Sequence, residues 1–328
     1  MPFRAITGHR PLLELLSRAI AAGTLPPSLL FAGPDGVGKR LTAVALAQAL
    51  NCERRVAFDA CGECAGCSRI ARGVHADVLI VEPGETGAIK IEQVREVVDR
   101  TGYRPFEGRR RVVIIDGADA LGLPAQDAIL KTLEEPPSAT VFVLITSRPD
   151  VLLPTVRSRC QRLRFGPLSP ADVASLLIRD HGMSAAAAHA AAAASGGSVA
   201  RAIDGSGEGA MEARDVAARL LQGAARTTDP RQRLDGARQL TGGGSDRDEL
   251  SRRLLALSSL IRDLGLLGAH ANAATLANAD LEPQLASLLR SYDRDRALRA
   301  FSAVDRALAA LDRNASPKIV ADWLALNL

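Results

Sequence analysis

The chain is 328 residues long, too much for one ordinary hydrophobic core, so two or three domains are expected. Hydrophobic residues make up 47% and charged residues 24%, a balance that excludes wholesale disorder. Lys and Arg total 41 against 37 Asp and Glu; the net +4 excludes a bulk basic field, so any nucleic-acid contact must come from a local patch. No run approaches the roughly 18 consecutive apolar residues of a membrane span. Met1-Pro2-Phe3-Arg4 begins no apolar signal stretch, so a cytoplasmic protein with no membrane partner is expected.

From the amino terminus, Leu12, Leu13, Leu16 and Ile20 recur at helical spacing, and residues 29–32 form a short apolar run ending at Gly33. Val78–Val81 and residues 112–115 and 141–145 are further short β-rich runs with helical stretches between them, which predicts a parallel sheet with crossover helices. This α/β part ends near Phe165. Beyond Pro167 no comparable strand run follows. Ala-rich and Leu-rich segments repeat there at helical spacing, broken at Gly196-Gly197, residues 205–209 and residues 242–244. The alanine tract Ala185–Ala194 reads as ordinary helix.

Gly33-Pro34-Asp35-Gly36-Val37-Gly38-Lys39-Arg40 follows the first apolar run and opens a helical stretch. That is the context of a phosphate loop. Gly33, Gly36 and Gly38 let backbone N–H groups converge on phosphate oxygens, the helix amino terminus adds positive potential, and Lys39 supplies a mobile ammonium. The eighth position of such a loop is Ser or Thr, whose hydroxyl ligates magnesium. Here it is Arg40, which cannot ligate a cation, so ATP or ADP is expected to bind weakly or not at all. A second apolar strand delivers Asp116 to its carboxyl end, where α/β folds place their ligands. The next residue, usually a water-activating glutamate in hydrolysing relatives of this architecture, is Gly117. Asp119 reads as a solvated or helix-capping aspartate.

Cys52, Cys61, Cys64 and Cys67 make two Cys-x-x-Cys steps sharing Cys64, with a fourth thiol upstream. Four thiolates can close a tetrahedral structural zinc site with no open position, and redox-active or merely buried thiols are the competing readings. His75 is a possible substitute ligand but reads more simply as a polar surface residue, and Cys160 reads as a packed small hydrophobe.

Together these residues resemble the clamp-loader branch of the AAA+ ATPases, on its delta-prime side, over most of residues 5–205. The resemblance is carried by Ile6-Thr7-Gly8-His9, the phosphate loop, the cysteine module, residues 114–119, Leu133-Glu134-Glu135-Pro136-Pro137, and the stretch from Thr146 to Ser158-Arg159-Cys160. It implies an AAA+ α/β P-loop module over residues 1–165 with a zinc-binding insert at 52–67, a small helical lid over 166–212, and an all-α carboxyl-terminal collar over 213–328. It implies further that Arg159 projects as an arginine finger toward ATP on a neighbouring subunit, a task suited to a fixed, forked cation. Thr146 and Arg201 match the family's two phosphate-sensing positions. The implied partners are the clamp-loader motor and delta subunits in a pentameric ring, the sliding clamp, and primer-template DNA through the assembly. The ATP-hydrolysing motor subunit of the same family shares the zinc module and Ser-Arg-Cys, and Arg40 and Gly117 count against it. A zinc-bearing nucleic-acid-binding module on a decayed AAA+ scaffold is a third reading. The last part of the chain matches loosely, through Leu260-Ile261-Arg262-Asp263-Leu264 and Asn314-Ala315-Ser316-Pro317-Lys318; its periodicity alone says helical bundle.

Overall fold

The four apolar runs become strands: β1 (Ser28–Ala32), and β2 (Val78–Val81), β3 (Arg111–Asp116) and β4 (Thr140–Thr146), the last three as their β-branched composition predicts. A fifth strand, β5 (Gln161–Arg164), escapes the pattern because only Leu163 of its four residues is buried. All neighbouring pairs are parallel, in the order β2-β3-β4-β1-β5. In this computed structural model the described residues are 1–55, 58–84, 86–204, 208–227, 229–242, 246–271, 276–313 and 315–328. They fall into two units, Met1–Asp172 and Val173–Leu328.

In the first unit the sheet is covered on both faces, as a parallel sheet must be. Alternate strand residues Leu29, Phe31, Val112, Ile114, Val141 and Val143 pack with α1 (Arg10–Ala21) and α2 (Lys39–Asn51). A short helix, α3 (Ala65–Ala71), is capped by Cys64 and carries Cys67. The opposite set, Leu30, Val113, Ile115, Phe142 and Leu144, packs with α4 (Ile91–Thr101), α5 (Leu123–Glu134) and α6 (Pro154–Arg159). α2 is rich in buried alanines, including Ala43, Ala45, Ala47 and Ala49, which give it few bulky side chains where it meets the sheet.

The turn from α4 into β3 is held by a buried carboxylate. Asp77 has no exposed surface, accepts N–H bonds from Phe106, Glu107 and Gly108 at 2.7–2.8 Å, and pairs with Arg111 at 3.0 Å. Burial alone raises its pKa, yet the three backbone donors and the guanidinium more than offset this and hold the carboxyl below its ordinary value. His75 belongs to the same knot. Its Nδ1 accepts the Asp77 N–H at 3.1 Å and it is only 4% exposed, so the reading of a polar surface histidine is corrected. Cys160 is buried in the apolar core, as its reading predicts, and burial pushes its thiol up to about 12.

Among the described residues, every element after β5 is helical: α7 (Pro170–His181), α8 (Ala185–Ala194), α9 (Val199–Asp204), α10 (Glu208–Arg226), α11 (Pro230–Thr241), α12 (Arg247–Gly268), α13 (Glu282–Leu288), α14 (Arg294–Asp312) and α15 (Pro317–Asn327), with one short 3-10 turn at Ala279–Leu281. In the second unit one core draws Leu220, Leu221, Leu254, Leu257, Leu260, Val304 and Leu324 from α10, α12, α14 and α15. Asp263 is fully buried there and accepts from Ala277 N, Asn278 N and Asn278 Nδ2 at 2.7–3.1 Å, which explains a charged residue inside the Leu260–Leu264 stretch. Residues 205–207 and 243–244 of the expected glycine breaks, and Asn314, lie outside the described residues. No described helix is long and apolar enough to cross a membrane.

Candidate nucleotide and metal sites

The phosphate loop leaves the carboxyl end of β1 where the sequence puts it. Gly33 N–H donates to Thr146 O at 3.2 Å, which ties the loop's first residue to the end of β4. No larger residue fits at that point, since a Cβ on Gly33 would lie 2.1 Å from the Phe165 carbonyl oxygen. Gly36 and Gly38 are left-handed, and Gly38 caps α2. His9 Nε2–H donates to Val37 O at 2.8 Å and braces the loop from the segment before α1. Lys39 is 5% exposed and donates to Gly33 O at 2.6 Å and Pro34 O at 2.7 Å. Its ammonium is folded back on the loop's own carbonyls.

Register explains what faces the loop. β2 and β3 run parallel with Val81 opposite Ile115, so the residues just beyond, Glu82 and Asp116, come side by side. Two adjacent carboxylates repel unless a cation stands between them. Arg40, in the first turn of α2, does so: one guanidinium nitrogen pairs with Glu82 and lies 3.2 Å from Asp116 Oδ2. Burial pushes the Asp116 carboxyl up, and the Arg40 charge opposes that shift. Gly117 then turns the chain at φ 76°, a left-handed backbone a glutamate seldom adopts, and a Cβ there would sit 3.2 Å from Pro83 Cγ. In this backbone, position 117 does not favour a glutamate.

Thr146 ends β4 beside the loop, but its hydroxyl donates to Asp119 Oδ1 at 2.9 Å and accepts from Arg148 N at 3.0 Å. Asp119 also pairs with Arg148 at 3.0 Å and its side chain is only 12% exposed. It is therefore neither solvated nor a helix cap, which corrects the sequence reading. The loop glycines, Lys39, Asp116 and Thr146 are gathered at the carboxyl end of the sheet. Arg201 lies exposed on α9 in the second unit. The magnesium ion that a phosphate loop ordinarily binds does not fit these residues: position 40 offers no oxygen, both carboxylates are engaged by a guanidinium, and the Thr42 hydroxyl points at Gly38 O.

Arg159 ends α6. The register that sets Gln161 beside Leu29 starts β5 four residues before the loop, about 13 Å along the strand. Arg159 is thus at the amino end of the sheet and its own phosphate loop at the carboxyl end. The side chain is one-third exposed, donates to Thr155 O at 2.9 Å and pairs with Glu134 at the end of α5.

The four cysteines come together. Their sulfurs all lie within 4.8 Å of one another, a spacing able to hold a metal ion. Cys64 caps α3 by accepting the Cys67 N–H, and the N–H groups of Glu63 and Cys64 point at Cys61 sulfur and push that thiol down to about 6. Burial raises Cys52 and Cys67. Backbone donors converging on sulfur stabilise thiolate, the form that ligates. Around the cluster, Gln48 Nε2 donates to Cys67 O at 2.7 Å, and Asp59 accepts Phe3 N and pairs with Arg4. His75 is not part of the cluster.

A parallel sheet with a phosphate loop after an interior strand, β1, between β4 and β5, covered by helices on both faces, fits an AAA+ module. Residues 8–169 match the family described as DNA polymerase III, delta subunit. A delta′ subunit of DNA polymerase III from Pseudomonas aeruginosa is 43% identical over 132 residues, covering 40% of each chain. The gamma/tau subunit from Mycobacterium tuberculosis is 34% identical over 177 residues, covering 54% of this chain and 31% of that one. The aligned regions thus span well under half of these relatives. A gamma subunit-related protein from Thermotoga maritima is 21% identical, with TM-score 0.45 over 96% of this chain and 97% of that one. Through residues 8–169 the chain is a member of the clamp-loader family of DNA polymerase III subunits.

Proposed function

We propose that the chain is the delta-prime-type subunit of a clamp loader: it supplies Arg159 to ATP on a neighbouring motor subunit and does not hydrolyse ATP itself. One observation carries this reading. The Ser158-Arg159-Cys160 segment and the disabled loop sit at opposite ends of one sheet, so the arginine cannot serve its own loop but is free to serve another subunit's. A guanidinium at that place stabilises charge on the transferring phosphoryl group through fixed charge and forked donors. Within the chain, Glu134 holds that side chain in place, and a stronger pull from a triphosphate replaces it on assembly.

The remaining assignments follow the same reading. Cys52, Cys61, Cys64 and Cys67 hold a structural zinc ion that closes the insert without chemistry of its own. Residues 166–212 act as lid and residues 213–328 as the collar that joins the ring of motor and delta subunits. The ring loads the sliding clamp on primer-template DNA. Thr146 and Arg201 stand at sensor positions, but the Thr146 hydroxyl is already engaged by Asp119, which suits a subunit with no phosphate to sense. The gamma/tau matches favour a motor subunit as the second reading; Arg40 and Gly117 oppose it.

Size-exclusion chromatography of the chain mixed with the motor and delta subunits of its own genome tests the assignment. Co-elution as one assembly is the expected result. DNA binding with no assembly would instead support a decayed scaffold carrying a nucleic-acid module.

A further inference from the structure

Arg40 does more than lack a hydroxyl. It stands in the first turn of α2, where a phosphate loop presents its ion ligand, and its guanidinium meets Asp116 at the end of β3 and Glu82 just past β2. These are the carboxylates that parallel register brings to the ion's place. No ion is needed to bridge the two carboxylates: the Arg40 guanidinium pairs with both Glu82 and Asp116, while Lys39 pairs with Asp35 at 3.3 Å on the loop itself. An ion entering here must displace the guanidinium from both carboxylates, and it gains no side-chain oxygen from position 40 in return.

We infer that Arg40 is a tethered cation standing in for the divalent ion, and that it is the residue that makes this loop reject metal–nucleotide complexes. The inference rests on the reading of the chain as a non-hydrolysing subunit and names how that state is built. The guanidinium joins the ends of two strands to the start of α2, the connection that a bound ion and its nucleotide make in an active site of this type. The loop is therefore held without a ligand: Lys39 by the carbonyls of Gly33 and Pro34, and Arg40 by its two carboxylates. Glu82 and Asp116 are both retained when Arg40 alone is replaced, so a single substitution is expected to reopen the ion's position.

The test is electron paramagnetic resonance of Mn2+ in the presence of ADP, on the full chain and on Arg40→Thr, which supplies the hydroxyl. Wild type is expected to bind no Mn2+ beyond what ADP alone takes up. Arg40→Thr is expected to gain a protein-dependent Mn2+–ADP site, with affinity at least tenfold above wild type. Arg40→Lys, which keeps the charge, should stay closed. Arg40 is half exposed, so these variants are expected to fold, and circular dichroism checks each one. Wild type binding Mn2+–ADP as tightly as Arg40→Thr overturns the inference, as does a folded Arg40→Thr that gains nothing. No partner subunit enters this measurement, so its failure is distinct from a failure to assemble.

Discussion

Alanine at Arg159 is expected to slow ATP hydrolysis at the neighbouring site by about 10³-fold or more in the reconstituted, DNA-stimulated assembly, the scale of arginine fingers elsewhere. The chain itself should be nearly unaffected. The side chain is partly exposed and its partner Glu134 is 46% exposed, so the lost ion pair is a surface one worth about 0–1 kcal/mol. Arg159→Lys separates charge from shape: an ammonium keeps the charge but not the fork, so it should restore only part of the rate. Steady-state hydrolysis with primer-template DNA, measured on assemblies built with each variant, reads these differences. Unchanged turnover with Arg159→Ala would remove the finger from the account.

Removal of metal from the four-thiol cluster is the second large effect. Structural zinc bound by small modules is worth about 10–16 kcal/mol in apparent binding free energy, and that energy is coupled to folding. The cluster is tied to the first unit at several points, through Gln48 on α2 and through the Asp59 contacts to Phe3 and Arg4, so its loss should spread beyond residues 52–67. Purified chain is expected to carry about one zinc. Chelation should lower its calorimetric melting temperature and expose the four thiols to reagent. A metal-free chain that melts at the same temperature with the same thiol reactivity would exclude a structural ion.

Much of this architecture is legible in the sequence because its strongest signals are local. β1 to β4 are short apolar runs bounded by polar turns, and the phosphate loop and the cysteine spacing are contiguous motifs. What was not legible depends on register and burial. β5 is polar at three of four positions, so its single buried leucine gives no pattern to find. Glu82 is an unremarkable acid after a strand until β2 aligns with β3 and sets it beside Asp116. Asp119 looks like a surface aspartate until Thr146 and Arg148 close on it from the end of another strand. His75 is buried only because the Asp77 knot draws the chain inward, a long-range effect that spacing cannot reveal.

The loss of a hydroxyl at position 40 could be read from the sequence, but its replacement by a resident charge could not. That difference changes the functional argument. A loop that merely lacks an ion ligand is a weakened motor, whereas here a guanidinium already occupies both carboxylates.

The most direct test is ATP turnover by the purified chain alone, with magnesium and primer-template DNA and without other subunits. The account predicts none above buffer. Sustained magnesium-dependent hydrolysis that follows the protein through purification, and falls when Lys39 is replaced, would contradict it.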